Sequence, residues 1–327
     1  MKTATLVLAW NGAEVLPSCL APLANLPGED HELICIDNGS SDASVEIIRK
    51  AANRATLIEN GTNLGFAGGM NRGLEMLLAR EQPPEAVLLL NQDTIVAVDW
   101  LRNITAPLST SDETAAVGCK IHYPGGLRLQ HAGATIAPAR AITRHIGAGE
   151  DDRGQYDETR EMSYVTGAAL ALRCSALQRV GLLDTGYHPA YYEDVDLCLR
   201  LRAAGFRIVY EPRAVVSHQE STSIPDAYQR ACLTEKNRLR YIVKNYESAR
   251  LWDEFLPAEL AHLDEIGHGL ELATLRRAYL DTILDMEEWI RARRRQHDVS
   301  EEEATRLRGL GGLLRRCIST NDATRAW

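Results

Sequence analysis

Carboxylates and amides collect where short apolar runs end. Asp37-Asn38 follows Glu32–Ile36, Asn91-Gln92-Asp93 follows Ala86–Leu90, and Asn11-Gly12 follows Thr3–Ala9. A carboxylate there can take a proton, hold a hard divalent cation, or accept a hydrogen bond from a base or ribose. Asp37 has two readings of equal weight: nucleotide recognition, or organisation of the Asn38-Gly39-Ser40-Ser41-Asp42 turn. Asp93 is either a metal ligand, with Asn91 adding a neutral oxygen, or a turn residue before a helix.

Three further stretches carry chemistry. Asn63–Asn71 sets Gly65, Gly68 and Gly69 at a predicted helix start; small residues there either admit a polar ligand to the backbone or allow close helix–sheet packing. Tyr191-Tyr192-Glu193-Asp194-Val195-Asp196 places three carboxylates at another helix start. The helix dipole welcomes acids there, yet three exceed what a cap requires. Glu193 and Asp196 share a face while Asp194 points elsewhere, so one can face a site while the others brace the fold. His218 ends the Val215-Val216-Ser217 run and is either structural or an additional ligand beside Asp93.

The elements that must position these residues follow from the apolar pattern. Thr3–Ala9, Glu32–Asp37, Ala55–Glu59 and Ala86–Leu90 read as buried strands. Between them, Phe66–Arg80 repeats Phe66, Met70, Leu74 and Leu77 at helical spacing. Continuous apolar strands alternating with helices predict a parallel sheet covered on both faces, whose ligands bind beyond the strands' carboxyl ends. After residue 110 the runs shorten: a polar, acidic loop over Glu150–Glu161, a helix Glu193–Ala204, and short strands Phe206–Tyr210 and Ala214–Ser217. Beyond Asp226 the chain reads as helical, with Leu272, Leu275, Tyr279, Ile283, Met286 and Ile290 in a stripe and Ser300/Glu303 as a capping box. A catalytic domain over 1–246 and a helical extension over 247–327 are expected.

Composition narrows the class. The 327 residues are 45% hydrophobic and 25% charged, with a net charge of −9. That balance argues against a nucleic-acid partner, which selects a basic face. The seven cysteines include no CxxC spacing and read as reduced thiols rather than a zinc site. No apolar run approaches a membrane span or a signal peptide, so a cytoplasmic protein is expected. Arg291, Arg293, Arg294 and Arg295 are either a solvated face of helices that pack on the core or pair subunits into a homo-oligomer, or a peripheral contact with anionic lipid.

The ordered set LAWNG, IDNGSSD, NLGFAGGMNRG, LLLNQD, TGAALALR, GLLD, YYEDVDLCLRLRAAGFRIVYEP and VVSH, over residues 3–218, resembles glycosyltransferase family 2, especially its rhamnosyltransferase-like branch. The resemblance implies an α/β GT-A fold: a mixed, mostly parallel sheet flanked by helices, followed here by a C-terminal helical region. It implies a nucleotide-diphosphate sugar donor, first of all dTDP-rhamnose, a hydroxyl acceptor such as a glycan or lipid-linked glycan, and inversion at the anomeric carbon. Asn11, Asp37 and Asn38 would line the nucleotide pocket, with Asn63, Gly69 and Asn91 near the donor. Asp93 and His218 would hold Mg²⁺ or Mn²⁺, and Asp194 would be the general base. Asn91 departs from the family's frequent aspartate. Lys236-Asn237-Arg238 resembles the basic element that follows the family's catalytic core.

Two rival classes share such a sheet. A nucleotidyltransferase selects a basic, glycine-rich loop after the first strand, where this chain has Trp10-Asn11-Gly12-Ala13-Glu14. A non-catalytic nucleotide-sugar-binding protein need not keep Asp93, Asp194 and His218 together.

Overall fold

The computed structural model describes residues 1–24, 26, 30–51, 55–219, 224, 226–266 and 269–325, with side chains to residue 316. Strands β1 (Thr3–Ala9), β2 (His31–Asp37), β3 (Ala55–Glu59) and β4 (Ala86–Asn91) pair in parallel in the spatial order β4-β1-β2-β3. The crossovers carry α1 (Leu16–Leu23), α2 (Ser44–Ala51) and α3 (Gly65–Leu78). β1 is buried along nearly its whole length and β4 carries an unbroken apolar run over Ala86–Leu90, as befits strands covered on both faces.

Seven further strands extend the sheet or flank it: β5 (Thr94–Val96), β6 (Thr114–His122), β7 (Leu129–His131), β8 (Ala134–Ile136), β9 (Thr143–His145), β10 (Arg160–Glu161) and β11 (Ala169–Arg173). The last strand, β12, covers Arg207–His218. The full order is β10-β12-β6-β11-β4-β1-β2-β3, with β5 on β12, β7 on β6, and β8–β9 as a separate hairpin. β11 runs antiparallel to β4 and β6, while β12 returns parallel to β6. Helices α4 (Trp100–Thr110), α5 (Cys174–Val180) and α6 (Glu193–Ala203) complete this part.

Two sequence expectations change in detail. The two short strands expected at 206–217 form one strand, β12, because Pro212 is absorbed as an irregularity: the register against β6 shifts between Glu211 and Val215. The acidic loop is pinned as well as polar. The buried Lys120 ammonium pairs with Asp152 at 2.9 Å and with Asp157, and His122 Nε2 lies 2.7 Å from Asp152. Burial alone would push the Asp152 carboxyl up, but the Lys120 and His122 bonds prevail and hold it at about 2.

The chain divides into two compact units: 1–136 with 143–223, and 137–142 with 224–327. The second unit contains α7 (Ala227–Asn245), α8 (Leu256–Glu265), α9 (Leu270–Arg294) and α10 (Glu301–Arg325). Asp226 caps α7 by accepting from the Tyr228 and Gln229 N–H groups. Arg238 is fully buried; its guanidinium donates to Glu259 Oε1 at 2.6 Å, and Glu259 also accepts from Arg140 Nε (2.7 Å) and the Tyr279 hydroxyl (2.8 Å). Lys236 pairs with Asp285 at 2.6 Å. Ser300 accepts from the Glu303 N–H, but the Glu303 carboxylate bonds Arg293 rather than completing the box. Arg293 is buried by that bond, and Arg294 pairs with Glu301, so half of the basic cluster is neutralised within the unit. Among the described residues no helix is long and apolar enough to cross a membrane. Six cysteines are free and buried; the side chain of Cys317 lies outside the described residues.

Candidate active site

The carboxyl ends of β1, β2 and β3 are laced by their own side chains. Asn11 adopts a left-handed backbone (φ 46°), accepts from the Ser41 N–H at 2.8 Å, and donates its own N–H to Ser40 Oγ at 2.9 Å. Asp37 accepts from the Gly39 and Ser40 N–H groups at 3.1 and 3.2 Å, so its side chain organises the turn. Asn38 uses its whole amide: it donates to Asn63 Oδ1 (3.0 Å) and the Gly65 carbonyl (3.1 Å), and accepts from Asn60 Nδ2 and the Leu64 N–H (both 3.1 Å). Asn63 also accepts from the Gly65 N–H at 2.8 Å. Gly69 lies against the sheet; a Cβ there would stand 2.5 Å from Leu8 Cδ1 and 3.2 Å from Asn38 Cγ. Its smallness is spent on packing.

Beyond β4 the chain turns on Gln92. Its amide accepts from the Trp10 N–H (2.9 Å) and donates to the Trp10 carbonyl (3.0 Å), tying β4 to the loop after β1. This brings Asp93 to the start of β5, whose Thr94 pairs with His218 at the end of β12. His218 Nε2 lies 3.2 Å from Asp93 Oδ1 and 3.4 Å from Asn91 Nδ2, while His218 Nδ1 lies 2.7 Å from Gln130 Oε1. Asp93 and His218 are 8% and 7% exposed. A ring nitrogen and a carboxylate oxygen at this separation share a proton or a cation. The oxygen–imidazole donor set fits Mg²⁺ or Mn²⁺. Among the described residues no group of three or more His, Cys, Asp or Glu could hold a metal. The pair would therefore supply two ligands and leave the rest to a diphosphate and water.

The third component is the start of α6. Tyr191 and Tyr192 both take left-handed backbone conformations (φ 83° and 73°), a costly arrangement for bulky residues that turns the chain sharply into Glu193. The three carboxylates then separate by task. Asp196 is fully buried and braces the fold, accepting from the Tyr187 hydroxyl (3.0 Å) and Arg200 Nε (2.9 Å). Arg200 spans onward to the Val180 and Leu182 carbonyls. Glu193 is buried, and burial followed by the charges of Asp194 and Asp196 pushes its carboxyl well up. Asp194 is partly buried and oriented by the Gly167 and Val195 N–H groups, each at 2.8 Å. Enclosure raises the Asp194 carboxyl, against the opposing pull of those N–H groups and of His145.

A short path of bonds joins these components. The Asn91 N–H donates to the Ala168 carbonyl (3.0 Å), and the adjacent Gly167 N–H holds Asp194. The Phe66 N–H donates to the Pro189 carbonyl (2.7 Å), and a Cβ on Gly167 would stand 3.2 Å from the Phe66 ring. The metal-suited pair, the base candidate and the Asn38–Gly65 corner thus meet around the Thr166-Gly167-Ala168 turn. Three contributors to this region lie outside the sequence expectation: Gln130, Tyr164 and His145. His145 and Tyr164 have ring centroids 6.4 Å apart, and His131 packs edge-on against His145 at 4.6 Å. The TGA stretch was a visible signal for Gly167; nothing in the local sequence marks the other three.

The mixed, mostly parallel sheet flanked by helices is a GT-A fold. The glycosyl transferase family 2 model matches residues 5–181, and the chain belongs to that family. The N-acetylglucosaminyl-diphospho-decaprenol L-rhamnosyltransferase of Mycobacterium tuberculosis is 27% identical over 221 residues, 62% of this chain and 71% of that protein. Protein y4gI of Sinorhizobium fredii is 30% identical over 201 residues, 59% of this chain; the match spans 21% of y4gI's own length. The mannosyltransferase PcManGT from Pyrobaculum calidifontis, solved with GDP-Man and Mn²⁺, superposes with a TM-score of 0.55 at 16% identity, covering 100% of this chain and 87% of that one.

Proposed function

We propose that this glycosyltransferase moves a sugar from a nucleotide-diphosphate donor to an acceptor hydroxyl in one inverting displacement, with dTDP-rhamnose the first donor to examine. The observation that carries this reading is the path from the Asp93–His218 pair through Asn91, Ala168 and Gly167 to Asp194. The name of the M. tuberculosis relative supports the choice of sugar.

Asp194 takes the proton of the acceptor hydroxyl as that oxygen attacks the anomeric carbon. Two N–H bonds fix the direction of its oxygens. General-base catalysis of this kind is worth about 10²–10⁴-fold. Asp93 and His218 would hold Mg²⁺ or Mn²⁺, which supplies positive charge for the departing diphosphate. Asn11, Asp37, Asn38 and Asn63 shape the floor beneath the nucleotide, chiefly by fixing the loops whose backbone faces it. Gly69 lets α3 approach that floor.

A thermal-shift screen of nucleoside diphosphates and nucleotide-sugars with Mn²⁺ identifies the donor, because a ligand that binds only the folded state raises its melting temperature. NMR of the product made from that donor should show the inverted anomer. A retained anomer excludes the single displacement.

A further inference from the structure

We propose that Gln130 is the positioning residue of the metal-binding pair: it selects the His218 tautomer with hydrogen on Nδ1, leaving Nε2 as the ligand atom beside Asp93. This rests on the metal role proposed for Asp93 and His218.

Gln130 lies on β7 and is 5% exposed, and its side chain addresses His218 at two points. Its Nε2 donates to the His218 carbonyl at 3.5 Å, and its Oε1 lies 2.7 Å from His218 Nδ1. The main-chain carbonyl can only accept, so the amide nitrogen belongs on that side and the oxygen faces the ring. An amide oxygen also only accepts, so Nδ1 must carry the hydrogen. A neutral imidazole has one N–H. Nε2 therefore presents its lone pair, 3.2 Å from Asp93 Oδ1 and 3.4 Å from Asn91 Nδ2. Two acceptor atoms 3.2 Å apart suit a shared cation.

Metal-bound histidines commonly donate their second ring N–H to an orienting acceptor, which fixes both tautomer and ring direction. Here that acceptor is neutral. Asp93 then remains the single formal negative charge of the trio, and a diphosphate meets less repulsion than a carboxylate at position 130 would impose. Because Gln130 comes from β7 and His218 from β12, the ring is held from a strand other than its own.

The test uses the full chain and Mn²⁺ alone as probe. Long-range ¹⁵N NMR of the metal-free protein, at a pH where the His218 ring is neutral, should show the Nδ1–H tautomer; an Nε2–H ring overturns the proposal. Manganese titration followed by EPR should show Gln130→Leu binding roughly 10–100-fold more weakly than wild type. Gln130→Glu, which keeps the acceptor oxygen, should retain binding. His218→Ala sets the lower limit. Weakening in His218→Ala but wild-type affinity in Gln130→Leu overturns the role of Gln130 while the metal pair stands. Unchanged affinity in both removes the metal pair and the proposal together. If Gln130→Leu does not fold, the wild-type tautomer decides the matter.

Discussion

Asp93 Oδ1 and His218 Nε2 stand 3.2 Å apart, brought together because Thr94 and His218 pair across β5 and β12. A carboxylate and an imidazole, both nearly buried and both at strand ends, come within reach of each other because a twelve-residue strand returns His218 to the turn after β4.

The pair should control nucleotide affinity through the metal. Asp93→Asn should weaken Mn²⁺-supported binding of UDP or dTDP by roughly 10²-fold or more, beyond the loss expected for a residue behind a ligand. Isothermal calorimetry with and without Mn²⁺ measures this. In the absence of metal, wild type and variant should bind equally.

Asp194 should link activity and stability with opposite signs. Its carboxyl is raised by enclosure, so turnover should climb with pH through a window above the usual carboxylate value of about 4. Linkage fixes the stability side: a carboxyl whose folded pKa is raised stabilises fully below its unfolded pKa, and that contribution is lost as pH rises through the folded value. Asp194→Asn should therefore melt above wild type at neutral pH, with the difference vanishing below about pH 4, while turnover falls. Parallel pH–rate and pH–melting profiles check both limbs.

Gly12 tests the lacing of the loops. A Cβ there would lie 2.0 Å from Gln92 Oε1, so Gly12→Ala must displace the amide and break both bonds to Trp10. Losing paired groups at a buried residue costs about 1–3 kcal/mol, read as a lower urea midpoint. Asp93 directly follows Gln92, so nucleotide affinity should fall as well.

The helical unit has its own sensitive point. Burial would raise the Glu259 carboxyl, but Arg238 and Arg140 outweigh it and hold it at about 2. This depressed carboxylate stabilises above its unfolded pKa of about 4.3, and the contribution is lost as pH falls towards the folded value. Glu259→Ala leaves the fully buried Arg238 with the Glu235 carboxylate at 2.8 Å but without Glu259, and should cost about 3 kcal/mol. Urea unfolding at neutral pH measures it.

Much of this was legible in the sequence, for definable reasons. Buried strands such as Ala86–Asn91 announce themselves as unbroken apolar runs, and the polar residues that end them mark the functional edge. Asp93, Asp194 and His218 were legible because each breaks such a run or opens a helix. Side-chain amides were not. Gln92 and Gln130 take partners 82 and 88 residues away, and no local pattern encodes which distant group an amide meets. Nor did spacing tell a ligand-facing carboxylate from a turn-forming one at Asp37, since both begin with the same strand end. Arg238 looked like a basic functional element, and its burial against Glu259 emerges only when α7 and α8 pack.

Product analysis of wild type and Asp194→Asn with Mn²⁺, over a panel of dTDP-, UDP- and GDP-sugars, decides whether the protein transfers a sugar with Asp194 as its base. Wild type should release nucleoside diphosphate and a glycoside from one donor class and stop when the metal is chelated, while Asp194→Asn binds that donor but turns it over at least about 10²-fold more slowly. Pyrophosphate as the product, or equal turnover by the variant, would contradict the account.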